Sequence, residues 1–204
     1  VTDLNDLTET GYTTQVQVYE RGVTYNWRML MDRRGAFLNN IPMLLGRAAL
    51  RTESKFAVSL FMDSTGFDST FFAAGNANLI TTTYGAASNN PALSVQGLRD
   101  ALNVMSQQTD SNGEPIMIEG VTLVVPPMLR TTGLEILKAT QLEIVPATTA
   151  AGTRYTTPPW VNDFKLAVEW YMPNVASADS NKHTNWAVFA DPNVNRPGME
   201  VTFL

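Results

Sequence analysis

The chain has 204 residues, of which 44% are hydrophobic and 16% charged, and a formal net charge of −5; a chain of this size and composition can bury roughly 70% of its unfolded surface and is not of the disordered class. It contains no cysteine, so disulfides, thiolate metal sites and a Cys nucleophile are excluded from these residues, and the acidic balance counts against a dedicated nucleic-acid binder. No run of about 18 apolar residues and no Asn-x-Ser/Thr sequon occurs, so neither membrane insertion nor secretion is expected.

The charge is unevenly spread. Residues 21–55 hold seven cations (Arg21, Arg28, Arg33, Arg34, Arg47, Arg51, Lys55) against the two anions Asp32 and Glu53, a local +5 that leaves −10 for the rest. Two readings stay open: a subunit with one basic and one acidic face, or a solvated helix face with scattered partners.

In chain order, Tyr12 to Trp27 reads as a ribbon of two extended arms, because Val16, Val18, Val23 and Tyr25 alternate with polar residues around Glu20-Arg21-Gly22. A helix is predicted from Pro42, a residue suited to a first turn, to about Met62, with Leu45, Ala49, Thr52, Phe56 and Leu60 on one face and Arg47, Arg51 and Lys55 as a basic stripe elsewhere. Residues 63–91 are rich in Ser, Thr, Gly, Ala and Asn around Phe67, Phe71 and Phe72, which predicts an irregular connection anchored by aromatics and a boundary between subdomains.

Ser94 is the natural N-cap of a helix whose apolar face is Val95, Leu98, Leu102 and Met105 and which ends before the turn Asp110-Ser111-Asn112-Gly113. Val121 to Val125 has the length and branching of a buried strand, Pro126-Pro127 opens a short helix through Lys138, and Leu142 to Val145 is a further strand, together a small sheet flanked by helices. Beyond the loop at 146–159, Phe164, Leu166, Val168 and Trp170 alternate with Lys165, Ala167, Glu169 and Tyr171 as in a half-buried strand. Trp186 to Ala190 and Met199 to Phe203 are the last two strands predicted.

Chemistry has little to work with. His183 is the single histidine and lies in a polar loop, where an ordinary exposed side chain explains it better than a general base. The stretch Asp110 to Glu114 begins like a calcium loop but lacks the remaining ligand spacing, and its Asn-Gly pair reads as a tight turn. No phosphate-binding loop occurs. Neither an enzymatic activity nor a cofactor or metal is expected.

The run Val18-Tyr19-Glu20-Arg21-Gly22-Val23-Thr24-Tyr25-Asn26-Trp27 resembles the second extension-loop strand of tailed-phage major capsid proteins of the Mu-like head subunit group, with Arg21 ahead of the glycine where those proteins have Tyr-Gly directly. Ile41-Pro42-Met43-Leu44-Leu45-Gly46-Arg47-Ala48-Ala49-Leu50-Arg51-Thr52-Glu53 resembles the start of their long spine helix. The run from Gly66 to Phe72 is similar to the loop that follows, Leu123 to Pro127 to their axial strand and helix start, and Trp186 to Asp191 with Glu200 to Leu204 to their closing strands.

The resemblance covers nearly the whole chain in order and implies an α+β fold of the Hong Kong 97 type. On that basis residues 1–28 are the extension loop, 29–91 the peripheral domain with the spine helix, 92–158 the axial domain, and 159–204 strands returning to the peripheral domain. It further implies a homo-oligomer of hexamers and pentamers closing an icosahedral shell around double-stranded DNA, a place in the virion after assembly in the host cytoplasm, and scaffolding, portal or decoration proteins as further partners. Val16, Val18, Tyr25 and Trp27 would then contact a neighbouring subunit, and Arg47, Arg51 and Lys55 would face the lumen and touch DNA phosphates without reading sequence. Family members are longer at both ends, so a longer gene product is expected. Some relatives join an extension-loop lysine covalently to a neighbour; lysines occur here only at 55, 138, 165 and 182, so no such link is expected from the ribbon. The alternative reading is an encapsulin-like shell subunit, which shares the fold and encloses protein cargo.

Overall fold

The computed structural model describes residues 18–24, 26–31, 35–86, 88–109, 113–116, 118, 121–138, 142–144, 153–155 and 164–191. The chain forms two compact units, Val1–Leu50 and Arg51–Leu204.

In the first unit, residues 18–24 are exposed and carry no regular structure. Helix α1, Trp27–Met31, follows. Trp27 therefore does not end an extended arm: the side-chain oxygen of Asn26 accepts from the Arg28 amide at 3.4 Å and caps the start of a helix instead. No strand pairing occurs over 18–24, in keeping with the marginal stability of a lone two-stranded ribbon; residues 12–17 and Tyr25 lie outside the described residues.

Helix α2, Gly35–Ser59, leads from the first unit into the second and contains Pro42. The predicted start at Pro42 is thus corrected to Gly35. An interior proline loses one backbone hydrogen bond and crowds the preceding turn, at about 3 kcal/mol, but its fixed φ is helical, so flanking residues of good helix propensity carry the helix through. The far end also comes earlier than the predicted Met62. Leu60 and Phe61 donate to Ala57 and Val58 at 3.3 and 3.2 Å, the tightening of a final turn, and Met62 already begins a strand. On the predicted apolar face Leu45, Phe56 and Leu60 are half-buried while Ala49 and Thr52 are exposed; the fully buried residue is Val58, near the C-terminal end.

In the second unit a small hairpin pairs β1, Met62–Asp63, with β2, Gly66–Phe67. Helix α3, Val95–Ser106, starts at Ser94, whose Oγ accepts from the Gly97 amide at 3.0 Å, as the sequence predicts. Its covered residues are Gly97, Leu98, Asp100, Ala101 and Val104, so the buried face is rotated away from the predicted Leu102 and Met105, which are half-buried.

The centre of this unit is β3, Val121–Val125, lying between β6, Phe164–Val168, in parallel and β7, Ala187–Ala190, antiparallel. β3 leads through Pro126 and a short 3-10 turn into α4, Arg130–Lys138. The strand β4, Leu142–Ile144, pairs with β5, Thr153–Tyr155, in a separate two-stranded sheet. It therefore does not join β3, and the central sheet takes both of its flanking strands from beyond residue 158. The chain between β6 and β7 includes α5, Met172–Val175.

β3 carries four aliphatic residues around Thr122 because both of its faces are covered. Leu123 and Val125 join Leu93, Leu98, Ala101, Leu137 and Trp186 in one core, with Phe164, Leu166, Val168 and Val188 packed against it. Val124 and Phe189 pack on the other face against a second core of Val58, Phe61, Met62, Met172 and Ala176. The three phenylalanines of the irregular connection belong to this second cluster, with Phe67 and Phe71 each edge-on to Phe72 at 4.9 Å between ring centroids and Phe61 edge-on to Phe189 at 5.4 Å.

Candidate functional site

Among the described residues no group of three or more His, Asp or Glu suited to a metal ion occurs, and no buried side-chain nitrogen or oxygen lacks a hydrogen bond. His183 is exposed in the turn 180–184. An apolar cleft among the described residues of the second unit is lined by Ala57, Val58, Phe61, Val124, Ala167, Val168, Glu169 and Phe189. Its carboxylate, Glu169, is occupied in accepting from the Tyr171 amide at 3.0 Å.

Two aspartates have lowered pKa values for structural reasons. Asp63 sits below the ordinary carboxylate value mainly because Thr65 donates to it from its hydroxyl and its amide, both at 2.6 Å, which closes the β1–β2 turn. Asp68 is lowered by the amides of Thr70 and Phe71, at 2.7 and 3.1 Å, which hold the aromatic loop. No helix in the described residues is long and apolar enough to cross a membrane.

What the molecule does present is apolar surface. Of the eleven large hydrophobic residues left exposed among the described residues, eight lie in the first unit: Val18, Tyr19, Val23, Trp27, Met31, Met43, Leu44 and Leu50. Val18 is 80% exposed and Trp27 66%. Isolated exposed apolar side chains are ordinary, but here eight fall within about thirty residues of sequence. Val16 and Tyr25, predicted to share that surface, lie outside the described residues. Sequence reasoning did not assign Tyr19, Val23, Met31, Met43, Leu44 and Leu50 to it; for Met43, Leu44 and Leu50 the available signal was that they fall off the predicted Leu45–Ala49–Thr52–Phe56 face of α2.

Arg47, Arg51 and Lys55 are all exposed on α2, four residues apart, so each follows the last by little more than one helical turn. The charge is presented to solvent, where multiply charged anions can reach it. Two more exposed apolar residues, Met128 and Trp170, stand in the second unit just beyond the C-terminal ends of β3 and β6. Alternation predicts Trp170 buried with Phe164, Leu166 and Val168; the strand stops at Val168, and Trp170 occupies the turn before α5.

A family model described as phage capsid protein matches residues 10–204. No curated protein and no solved structure matches the chain.

Proposed function

Since the chain belongs to the phage capsid protein family, it is a structural protein of the bacteriophage virion and a subunit of its shell-forming oligomers, and we propose that it is the major head subunit of a tailed phage, of the Mu-like group and the Hong Kong 97 type of fold. In this reading residues 1–28 reach over a neighbouring subunit, 29–91 supply the spine helix, 92–158 the axial domain, and 159–204 the closing strands. Hexamers and pentamers of the chain close an icosahedral shell around double-stranded DNA.

The observation that carries the reading is the concentration of exposed large apolar side chains in the first unit. A free subunit gains nothing from holding Val18 and Trp27 in water; a shell in which every copy covers its neighbour's recovers that burial at each contact. The basic stripe fits the same reading. Arg47, Arg51 and Lys55 facing the lumen would neutralise phosphates by counterion release, with no preference among sequences.

The test is assembly of the full-length protein, followed by sedimentation and electron microscopy. Closed shells are expected from the wild type, and the double substitution Val18→Ser, Trp27→Ala should leave the unassembled subunit folded while sharply reducing shell yield, because one or two buried aromatic anchors dominate such contacts. Shells of normal yield from the double variant would remove these two residues from the interface. Wild-type particles that enclose protein cargo and no DNA would replace the head reading with a cargo-holding compartment.

A further inference from the structure

We infer that Trp170 and Met128, at the C-terminal end of the β3–β6 pair, form a second subunit contact whose partner is another copy of this chain. The inference rests on the shell reading above and adds to it a surface on the other unit of the molecule.

The sheet register places both residues just beyond one end of the sheet. β3 and β6 run parallel with Val125 opposite Val168, and the Glu169 amide donates to the Val125 oxygen at 2.9 Å, so the chain leaves both strands at one end of the sheet. Trp170 follows β6 by two residues and Met128 follows β3 by three. Neither is loosely held. The Leu129 amide donates to the Pro126 oxygen at 3.0 Å, and Pro126 is fully buried. On the other strand Glu169 accepts from the Tyr171 amide, while Tyr171 in turn accepts from Asn174 and Val175 at 3.0 and 2.9 Å. Yet Trp170 is 68% exposed and Met128 67%.

A large indole held on a fixed backbone and left in water has the character of a contact anchor, since little conformational freedom remains to be lost on binding. The position is also where the alternating pattern of β6 calls for a buried residue, and departures of this kind gather at functional positions. The occupant follows from closure. Rings built from one kind of subunit are heterologous: each copy must offer two unlike surfaces, one to the neighbour ahead and one to the neighbour behind. The apolar surface of the first unit is one. Of the three large hydrophobics exposed among the described residues of the second unit, Ile116, Met128 and Trp170, the last two share one end of the central sheet.

Because the chain has no cysteine, Met128→Cys introduces a single thiol. In unassembled subunits this thiol should react rapidly with a maleimide, and in shells it should react roughly tenfold more slowly or less, recovering on disassembly in denaturant. Trp170→Ser should leave the thermal unfolding of the free subunit in place and lower shell yield roughly tenfold or more at equal concentration. Equal labelling in shells and free subunits, with normal yield from Trp170→Ser, would overturn the inference while leaving the shell reading intact; failure of the wild type itself to assemble would strike the shell reading instead. Should Trp170→Ser not fold, the labelling of Met128→Cys alone decides. Protection that appears only when a second kind of protein is added to completed shells would also overturn it, by replacing the second copy with that protein.

Discussion

The indole N–H of Trp186 donates to the backbone oxygen of Pro91 at 3.0 Å, joining two residues 95 positions apart. The same ring lies over the first turn of α3: a Cβ added at Gly97 would stand 3.3 Å from Trp186 Cζ2 and 2.9 Å from the Ala92 oxygen. The start of β7, the loop before α3 and the cap of α3 are thus one packed joint. Trp186→Phe keeps most of the apolar volume but leaves the Pro91 oxygen without this donor, and a loss of about 1–3 kcal/mol is expected. Gly97→Ala pushes a methyl group against backbone, which cannot swing aside, and should cost a similar amount. Urea unfolding of the two variants checks both values; an unchanged midpoint for Gly97→Ala would show that the joint yields more easily than its distances imply.

Lys165 and Asp191 meet at 2.8 Å across the central sheet. Lys165 stands in register with Thr122, and Thr122 with Phe189, so the lysine stem crosses β3 to reach the carboxylate beyond β7. The lysine is largely exposed and the aspartate nearly buried. Solvent around the ammonium discounts the pair to the range of exposed ion pairs, and Lys165→Met should cost up to about 1 kcal/mol, with the difference shrinking at high salt. A salt-independent loss above about 3 kcal/mol would mean instead that the Asp191 charge depends on Lys165 for its burial.

The lowered pKa values of Asp63 and Asp68 set a direction for pH. Both carboxylates bind protons less readily in the fold than in the unfolded chain, whose ordinary value is 3.8, so their contribution is fully present above that value and is lost as pH falls through the folded ones. Unfolding midpoints should be flat with respect to these groups near neutrality and fall on acidification below the ordinary carboxylate range. Asp63→Asn with Asp68→Asn should flatten that fall. The idea is sunk if the double variant keeps the full acid slope of the wild type.

Replacing Arg47, Arg51 and Lys55 by Gln should reduce the salt dependence of DNA binding by the assembled protein, with the slope of log K against log salt falling by up to about 2.7 if all three touch phosphate. Affinity should fall evenly across DNA sequences. Binding that discriminates between sequences at low salt would be at odds with phosphate contacts.

How much of this was legible follows the physics of each element. β3 is readable because a strand covered on both faces is apolar at nearly every position, and the Ser94 cap because a hydroxyl before an amphipathic run satisfies an orphan amide. The start of α2 was not, since Pro42 is as well suited to a first turn as it is tolerable inside a long helix, and local sequence does not separate the two. The pairing of β4 with β5 and of β3 with β6 and β7 rests on contacts between distant residues, which periodicity does not encode. On the candidate surfaces, the exposure of the arginine stripe was legible from spacing. That of Trp170 was not, because alternation does not announce where a strand stops.

The order of strands in the central sheet has a consequence for synthesis. β3 lies between β6 and β7, both of which are translated after it, so on the ribosome the middle of the sheet emerges first and both of its neighbours last. Until β6 has left the exit tunnel β3 carries two open edges, and until residue 190 has left it one, on a segment of four aliphatic residues and a threonine that is mostly β-branched, the kind of segment that pairs with strands of other nascent chains. Neighbouring ribosomes on one message hold many such chains close together. The interval between residues 125 and 190 is therefore when this subunit most needs a chaperone, and slowing elongation there should raise the insoluble fraction while the same delay imposed after residue 191 should not.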